Sequence, residues 1–368
     1  MAIRSISVQN VLGFERMWRK DNGDPKAGGL KSGDKISDAF HLEFAEGINV
    51  LIGANGTGKT TLLKMIYAAT QWSIEQTDPG KTDKLNKFFS FNLKDSESLK
   101  NIRHPNGYCA FEISDGTHKF QYSLSHKGFV NWDDWLGLNI QSVMIPTTEM
   151  LSHSKGFLAM NMKYNLPFDG TQIDIIVNAS LPEAREMSES MNQVLKKISQ
   201  AIGGEVYQDE ETFYIKKTDG KSIEFSLEAE GLRKLGLIWK LIRNGLLETG
   251  TILLWDEPEA NLNPELFPLV AEILLALQNN GVQIFVATHS YNFAKYLEIR
   301  RAEPGCVLFH SLYKGSSAMP ESLKDVFKQD ENYNDVIYSK SAYTMEELRP
   351  NIIMEADVKL LDEIYDMR

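Results

Sequence analysis

Apolar side chains recur at two spacings along the chain. A spacing of two residues predicts strands, and a spacing of three to four residues predicts helices. Residues 3–14 and 40–44 alternate apolar and polar side chains, as half-buried strands do. Residues 47–52 are an apolar run typical of a buried strand, and residues 62–69 suit a helix. The N-terminal region therefore predicts a hairpin-like pair of strands that leads into a buried strand and a helix. Residues 19–38, rich in Gly, Asp and Lys, predict a mobile loop.

The remaining chain continues this mixture of elements. Turns that contain glycine predict hairpins within 108–124 and 205–227, and a strand within 141–146 ends at a proline. One apolar helix face is predicted within 183–202, formed by Met187, Met191, Val194, Leu195, Ile198 and Ile202. We further expect a helix at 231–247, strands at 251–255 and 282–287 on either side of a helix, and a final helix from Glu355 to Asp366.

The segment from Gly53 to Thr61 is the most informative part of the chain. It reads Gly53-Ala54-Asn55-Gly56-Thr57-Gly58-Lys59-Thr60-Thr61 and fits the phosphate-loop pattern G-x-x-x-x-G-K-[ST] at every fixed position. Glycines there let main-chain N–H groups curl around a phosphate at a helix N-terminus. Lys59 is expected to reach the β- and γ-phosphates, and the Thr60 hydroxyl to bind Mg²⁺. The strand and helix on either side argue against a mere glycine-rich turn with a solvated lysine.

Two acids follow the strand predicted at 251–255. Ligands gather at the carboxyl ends of buried parallel strands, where Asp256 can hold Mg²⁺. Glu257, one residue later, can polarise the attacking water as a general base. A solvated acid pair is the alternative, and the phosphate loop in the same chain argues against it.

His289 follows the strand predicted at 282–287. A lone histidine after a strand is usually structural. Here it comes one helix and one strand after the acid pair, an order that favours contact with a γ-phosphate.

Composition and charge limit the partners. The formal net charge of −11 argues against a whole-surface grip on nucleic acid, although a local basic groove stays possible. No apolar run reaches the roughly 18 residues of a membrane span, and the N-terminus lacks a signal-peptide apolar core. Cys109 and Cys306 are too far apart for a C-x-x-C metal site. We expect a cytoplasmic protein without a membrane partner.

The order of these motifs resembles that of ABC-type ATPase heads, in the stand-alone branch near RecF, SMC and OLD-family proteins. The segment Glu228-Ala229-Glu230-Gly231-Leu232-Arg233-Lys234-Leu235 and the run from Asp256 to Pro264 contribute to this resemblance. It implies an α/β P-loop NTPase of ABC-ATPase type, with a mixed central sheet, an antiparallel β subdomain and a helical lobe. The head would span 1–315, with an inserted lobe at about 71–227, and 316–368 would be a C-terminal extension packed on the head.

The resemblance also implies ATP and Mg²⁺ as cofactors and a homodimer that closes on two ATP molecules. Glu257, His289 and Lys59 would be catalytic, and Thr60 and Asp256 would hold the metal. Gly231, from the signature segment, would cap the partner's ATP, and Asn261 and Leu262 would lie with Asn263 in a D-loop at the dimer interface. The implied nucleotide-binding residues are Gly53, Asn55, Gly56, Thr57, Gly58, Lys59, Thr60, Thr61, Gly231 and Asn263.

Three departures from that pattern bear on the rate of hydrolysis. The signature segment lacks the serine of transporter motifs, and the D-loop ends in Asn263 where transporters carry aspartate. Thr147, Thr148 and Glu149 stand where a Q-loop glutamine belongs. These departures leave ATP binding intact, weaken the case for fast hydrolysis and argue against a transporter subunit.

Two functional classes remain open, and a third stays possible. The first is an ATPase that controls a separate protein effector, such as a nuclease or toxin, in a bacterial antiviral defence system. The second is a RecF-like repair or recombination ATPase that binds DNA directly. The acidic charge favours the first. A nucleotide-locked scaffold with negligible turnover is compatible with the three departures.

Overall fold

The computed structural model describes most of the chain, namely residues 1–14, 40–74, 109–123, 129–131, 134–164, 166–314 and 336–366. The loop predicted at 19–38 lies outside the described residues. Within the described residues, no helix combines the length and apolarity required to cross a bilayer.

A six-stranded mixed sheet forms the centre of the molecule, in the order β14-β13-β3-β12-β11-β7. Its strands are β3 Ile48–Gly53, β7 Ser142–Ile145, β11 Ile252–Asp256, β12 Gln283–Thr288, β13 Val307–Lys314 and β14 Ile337–Ala342. All neighbouring pairs are parallel except β13 and β14. Every residue of β3, β11 and β12 is buried, as continuous apolar runs predict for parallel strands covered on both faces.

An antiparallel sheet in the order β2-β1-β4-β5-β6 packs beside this centre. Its strands are β1 Ser5–Gln9, β2 Phe40–Glu43, β4 Ala110–Ser114, β5 Lys119–Ser123 and β6 Phe129–Asn131. The antiparallel pairing of β1 with β2 confirms the predicted pair of N-terminal strands. The pairing of β4 with β5 confirms the hairpin predicted within 108–124.

A helical lobe carries a small sheet of its own, in the order β10-β9-β8. Its elements are α2 Phe157–Tyr164, α3 Gly170–Ala179, α4 Glu189–Ile202, β8 Gly204–Asp209, β9 Thr212–Lys217, β10 Ser222–Glu224 and α5 Glu230–Arg243. The predicted hairpin at 205–227 is therefore a three-stranded sheet. Helix α5 ends four residues before the predicted end, because Gly245 takes φ 72° and stops the helical path.

The other helices cover the faces of the central sheet. They are α1 Lys59–Ile74, α6 Phe267–Asn279, α7 Tyr291–Arg300 and α8 Ile352–Asp366. Alternate residues of each buried strand point to opposite faces, so Leu253 and Leu254 enter two separate apolar cores. One core lies against α6, α7 and the helical lobe, and the other lies against α1 and the antiparallel sheet.

This architecture confirms the predicted fold class, a P-loop NTPase fold with a mixed sheet, an antiparallel β subdomain and a helical lobe. Strand β7 comes from the predicted insertion and β14 from the predicted C-terminal extension, and both join the central sheet. The limits proposed for the domains stay a prediction.

Candidate functional site

The loop between β3 and α1 has the geometry of an anion-binding turn. Gly56 and Gly58 adopt φ of 75° and 82°, in the left-handed region that favours glycine. Helix α1 begins at Lys59, so the unpaired N–H groups of its first turn face the loop. The buried Lys59 Nζ donates to Gly53 O at 2.7 Å and to Ala54 O at 3.0 Å. The loop therefore holds its lysine inside the turn.

Two glycines of this loop are packed too closely to carry a side chain. A Cβ on Gly58 would lie 2.4 Å from Phe14 Cζ, and one on Gly53 would lie 2.3 Å from Leu312 O. The Phe14 ring is fully buried and packs 4.7 Å from the Phe40 ring. The Phe14 ring thus packs directly against the phosphate loop at Gly58. This role cannot be predicted from the sequence, because the contact joins segments that are distant along the chain.

Asp256, at the end of β11, is held by two threonine hydroxyls. Thr60 Oγ1 donates to its carboxylate at 2.9 Å and 3.1 Å, and Thr147 Oγ1 donates at 3.0 Å. Thr147 lies two residues beyond β7, which runs parallel to β11, so both strands end at the same edge of the sheet. Thr147 therefore contributes a hydroxyl at the position where the resemblance to ABC-type heads implies a glutamine. Its position after a buried strand was the available signal.

Glu257 and His289 meet at the ends of β11 and β12. Glu257 Oε1 lies 3.1 Å from His289 Nδ1. The Glu257 main chain is left-handed, with φ 50°, and its N–H donates to Ala287 O at 2.8 Å. Such a conformation is uncommon for a residue with a side chain and persists only where its surroundings impose it. The predicted base and the histidine predicted to contact a γ-phosphate are therefore adjacent.

A further carboxylate, Glu259, fixes the main chain next to this histidine. Glu259 Oε1 accepts from Thr288 Oγ1 at 2.5 Å and from the His289 N–H at 3.2 Å. Glu259 is buried, and its Oε2 makes no hydrogen bond in the described part of the chain. Sequence reasoning missed Glu259, although its place two residues after Glu257 puts it in the same turn.

Gly231 and Asn263, predicted to act on a second subunit's nucleotide, lie around the turn at 257–263. A Cβ on Gly231 would lie 3.1 Å from Asn261 O, so only a small residue fits there. Asn263 Oδ1 accepts from the Glu265 N–H at 3.2 Å and caps a short 3-10 helix. Asn261 and Asn263 are exposed. Their contact with nucleotide stays a prediction.

Lys234 is a residue of this region that the sequence did not single out. It lies on α5, is only 3% exposed, and donates through Nζ to Ala260 O at 2.7 Å and to Glu257 O at 3.3 Å. The available signal was a lysine on the apolar stripe of α5, one turn before the buried Ile238.

The electrostatics of the site follow from burial. Burial lowers the pKa of Lys59 and of Lys234, while nearby carboxylates act in the opposite direction. Burial also raises the pKa of Asp256, although the two threonine hydroxyls stabilise its charged form. Glu259 likewise has a raised pKa because it is buried. Charges of both signs are thus concentrated in one poorly hydrated place, as in functional sites.

These residues fit a nucleotide with its magnesium ion. Lys59 is bonded to two loop carbonyls that a phosphate can replace. Thr60, Thr147 and Asp256 bring together hard oxygen donors, which Mg²⁺ prefers.

Fold and site together define a P-loop NTPase. More particularly, the chain belongs to the family described as "AAA domain, putative AbiEii toxin, Type IV TA system", whose model matches residues 109–294, just over half of the 368 residues. The match includes the acid pair, the signature segment and His289, and it begins after the phosphate loop. No protein of curated function matches the sequence.

Several solved structures are similar in fold. The SMC head domain from Thermotoga maritima is 17% identical, with a TM-score of 0.46, over 93% of this chain and 99% of that one. An Smc head domain with an extended coiled coil, bound to the C-terminal domain of ScpA derived from Pyrococcus furiosus, is 11% identical, with a TM-score of 0.48 over 99% of both chains. A nucleotide-free ATP-binding cassette from an ABC transporter is 13% identical, with a TM-score of 0.36, over 90% and 97%.

Proposed function

We propose that this chain binds ATP with Mg²⁺ and hydrolyses it. The observation that supports this most strongly is the meeting of Lys59, Asp256, Glu257 and His289 at the carboxyl edge of the central sheet. Thr60 and Thr147 hold the Asp256 carboxylate there, and His289 contacts Glu257. P-loop ATPases use a phosphate-loop lysine on the phosphates and an aspartate on Mg²⁺, and the positions of Lys59 and Asp256 support these roles.

Each side chain then has a distinct task. Lys59 leaves its two loop carbonyls and neutralises phosphate charge, while Thr60 and Asp256 hold the cation. Bound Mg²⁺ supplies further neutralisation of the phosphates. Glu257 accepts a proton from the attacking water, and its contact with His289 Nδ1 fixes the direction of its carboxylate. His289, with its main chain bound by Glu259, is placed to donate to the developing charge.

We further propose that two copies close face to face and complete each other's sites. The N-terminus of α5, at Glu230 and Gly231, has no side-chain cap, so its N–H groups are available to an anion. Asn261 and Asn263 are exposed beside it. A second copy that binds here would place its ATP against Gly231, and hydrolysis would release the closed state.

We propose that this cycle controls a separate effector protein in a defence or toxin–antitoxin setting of the cytoplasm. The description of the family, which names a Type IV toxin–antitoxin system, supports that setting. Direct binding of DNA, as in RecF-like repair, is the alternative. ATPase activity that DNA stimulates, with the stimulation lost in high salt, would favour the alternative.

The Glu257→Gln variant tests hydrolysis and dimerisation together. We expect steady-state turnover to fall about 10²-fold or more, because glutamine cannot accept the proton. We also expect ATP to remain bound and a dimer to accumulate, measured by sedimentation with and without ATP. Glu303→Gln, which changes an exposed glutamate before a short 3-10 turn, is the matched control. Normal turnover by Glu257→Gln would refute the assignment of the base, and a monomer that binds ATP would refute the closed dimer.

A further inference from the structure

The turn at 257–263 is held in an unfavourable main-chain conformation. Glu257 and Asn261 both adopt left-handed angles, with φ of 50° and 59°. Residues with a side chain rarely adopt these angles unless other contacts impose them. Within the turn, the Ala260 N–H donates to Glu257 O and the Leu262 N–H donates to Glu259 O, each at 3.1 Å. These two short-range bonds do not anchor the turn to the rest of the protein.

Lys234 provides an anchor from outside the turn. Its Nζ donates to Ala260 O at 2.7 Å and to Glu257 O at 3.3 Å. The Glu257 carbonyl thus accepts from both the lysine and the Ala260 N–H. With 3% of its surface exposed, Lys234 has exchanged water for these two carbonyls. A buried ammonium requires such partners, so the turn and the lysine stabilise each other.

Helix α5 contacts the turn at a second place, one helical turn before Lys234. Asn261 Nδ2 donates to Glu230 Oε1 at 2.9 Å, and Gly231 packs against Asn261 and Leu262. The helix therefore holds the turn near both of its ends. The helix that begins at the signature segment is thus bonded to the turn that carries Glu257, while the Glu257 N–H also donates to Ala287 O in β12.

We propose that Lys234 is a positioning residue for the Glu257 carboxylate, which it fixes through the main chain of the 257–263 turn, and that it ties this turn to the helix that begins at the signature segment. This inference rests on the proposed function for the role of Glu257. The arrangement of the turn itself can be measured without any hydrolysis.

The chain offers a matched pair of lysines on α5 for the test. Lys240 is as buried as Lys234, with 5% exposed, but its Nζ lies 3.4 Å from Glu183 Oε1, away from the turn. The variants are Lys234→Met, which removes the donor and keeps most of the apolar stem, Lys234→Arg, which keeps a donor, and Lys240→Met as control. Each is compared with the wild type for thermal unfolding, affinity for a fluorescent ATP analogue, single-turnover hydrolysis and amide hydrogen exchange at 259–262.

For Lys234→Met we expect single-turnover hydrolysis to slow about 10²-fold, because a small displacement of a catalytic group costs that much, with nucleotide affinity within about twofold. Exchange at 259–262 should be faster than in the wild type and in Lys240→Met, and Lys234→Arg should restore part of both effects. Wild-type exchange and hydrolysis in Lys234→Met would overturn the proposal. An equal loss in Lys240→Met would also overturn it, because the effect would then be general destabilisation.

The outcome separates this proposal from the proposed function. If the wild type does not hydrolyse ATP, the proposed function fails, while faster exchange at 259–262 in Lys234→Met alone would still show that Lys234 fixes the turn. If Lys234→Met does not fold, Lys234→Gln, a shorter and neutral side chain, carries the test: slower hydrolysis and faster exchange at 259–262 without a shift in affinity support the proposal, and wild-type values overturn it.

Discussion

The phosphate loop and the turn at 257–263 both bind a buried lysine through main-chain carbonyl oxygens, but the two segments differ in conformation and exposure. In each, a buried lysine donates to two main-chain carbonyl oxygens, Lys59 to Gly53 and Ala54 and Lys234 to Glu257 and Ala260. The phosphate loop is built on glycines and exposes its tip. The 257–263 turn instead forces residues with side chains into left-handed angles and is closed by α5.

This difference suits the first lysine to bind a phosphate and the second to position a side chain. A lysine at the base of an exposed glycine loop can exchange its carbonyls for an incoming phosphate, because the N–H groups around it also favour the anion. A lysine between a helix and a closed turn has no such substitute: its removal leaves Ala260 O without this donor and leaves the Ala260 N–H as the donor to Glu257 O. We therefore expect the same ammonium chemistry to bind a ligand in one place and to fix a catalytic group in the other.

The largest effect is expected from Lys59→Met. Loss of the ammonium removes the charge that faces the phosphates, and hydrolysis should fall about 10²-fold or more. Release of inorganic phosphate under saturating ATP measures this. If Lys59→Met hydrolysed ATP at the wild-type rate, Lys59 would not act on the phosphates, and the proposed difference in role between Lys59 and Lys234 would be wrong.

Thr147→Val should have the next largest effect. Asp256 would lose one of its two hydroxyl donors, and the apparent Mg²⁺ affinity of the nucleotide complex should weaken about tenfold. Titration of Mg²⁺ against binding of a fluorescent ATP analogue measures it. Thr148→Val, at the exposed neighbouring threonine, is the matched control, and Thr147→Ser should keep most of the affinity. Equal affinities for all three variants would show that Thr147 takes no part in the cation site.

The smallest effect is expected from Phe14→Leu. The smaller side chain loosens the packing beneath Gly58 without opening a large cavity, and should cost about 1 kcal/mol in the free energy of unfolding. If the phosphate loop depends on this support, ATP affinity should weaken severalfold. Denaturant unfolding and nucleotide titration measure the two quantities. A loss of stability with unchanged affinity would show that the loop keeps its shape by itself.

Site residues that stand in a continuous motif could be predicted from the sequence, because their neighbours along the chain indicate their structure. Gly53, Lys59 and Thr60 stand in one continuous motif between a strand and a helix, so the loop was predictable, and the phosphate and Mg²⁺ chemistry expected of it stays a prediction. Asp256 and Glu257 come at the end of an apolar strand. They lie close to Thr60 because the carboxyl ends of parallel strands meet at the same edge of the sheet.

The remaining contacts depend on tertiary packing. Lys234 donates to a turn that begins 23 residues later, and Thr147 lies 109 residues before the Asp256 that it contacts. The apolar stripe of α5 indicates that Lys234 is buried, but no pattern in the sequence indicates the partner of either side chain. Phe14 is similar, because only its packing under Gly58 distinguishes it from any other core aromatic residue. Residues that support a site are therefore harder to find from sequence than residues that form it.

The most direct test of this account is the dissociation constant of an ATP analogue measured in parallel for Lys59→Met and Lys234→Met. The account predicts a rise of about 10²-fold for Lys59→Met and a value within about twofold of the wild type for Lys234→Met. Equal weakening in both variants would contradict it, because Lys234 would then belong to the nucleotide site itself.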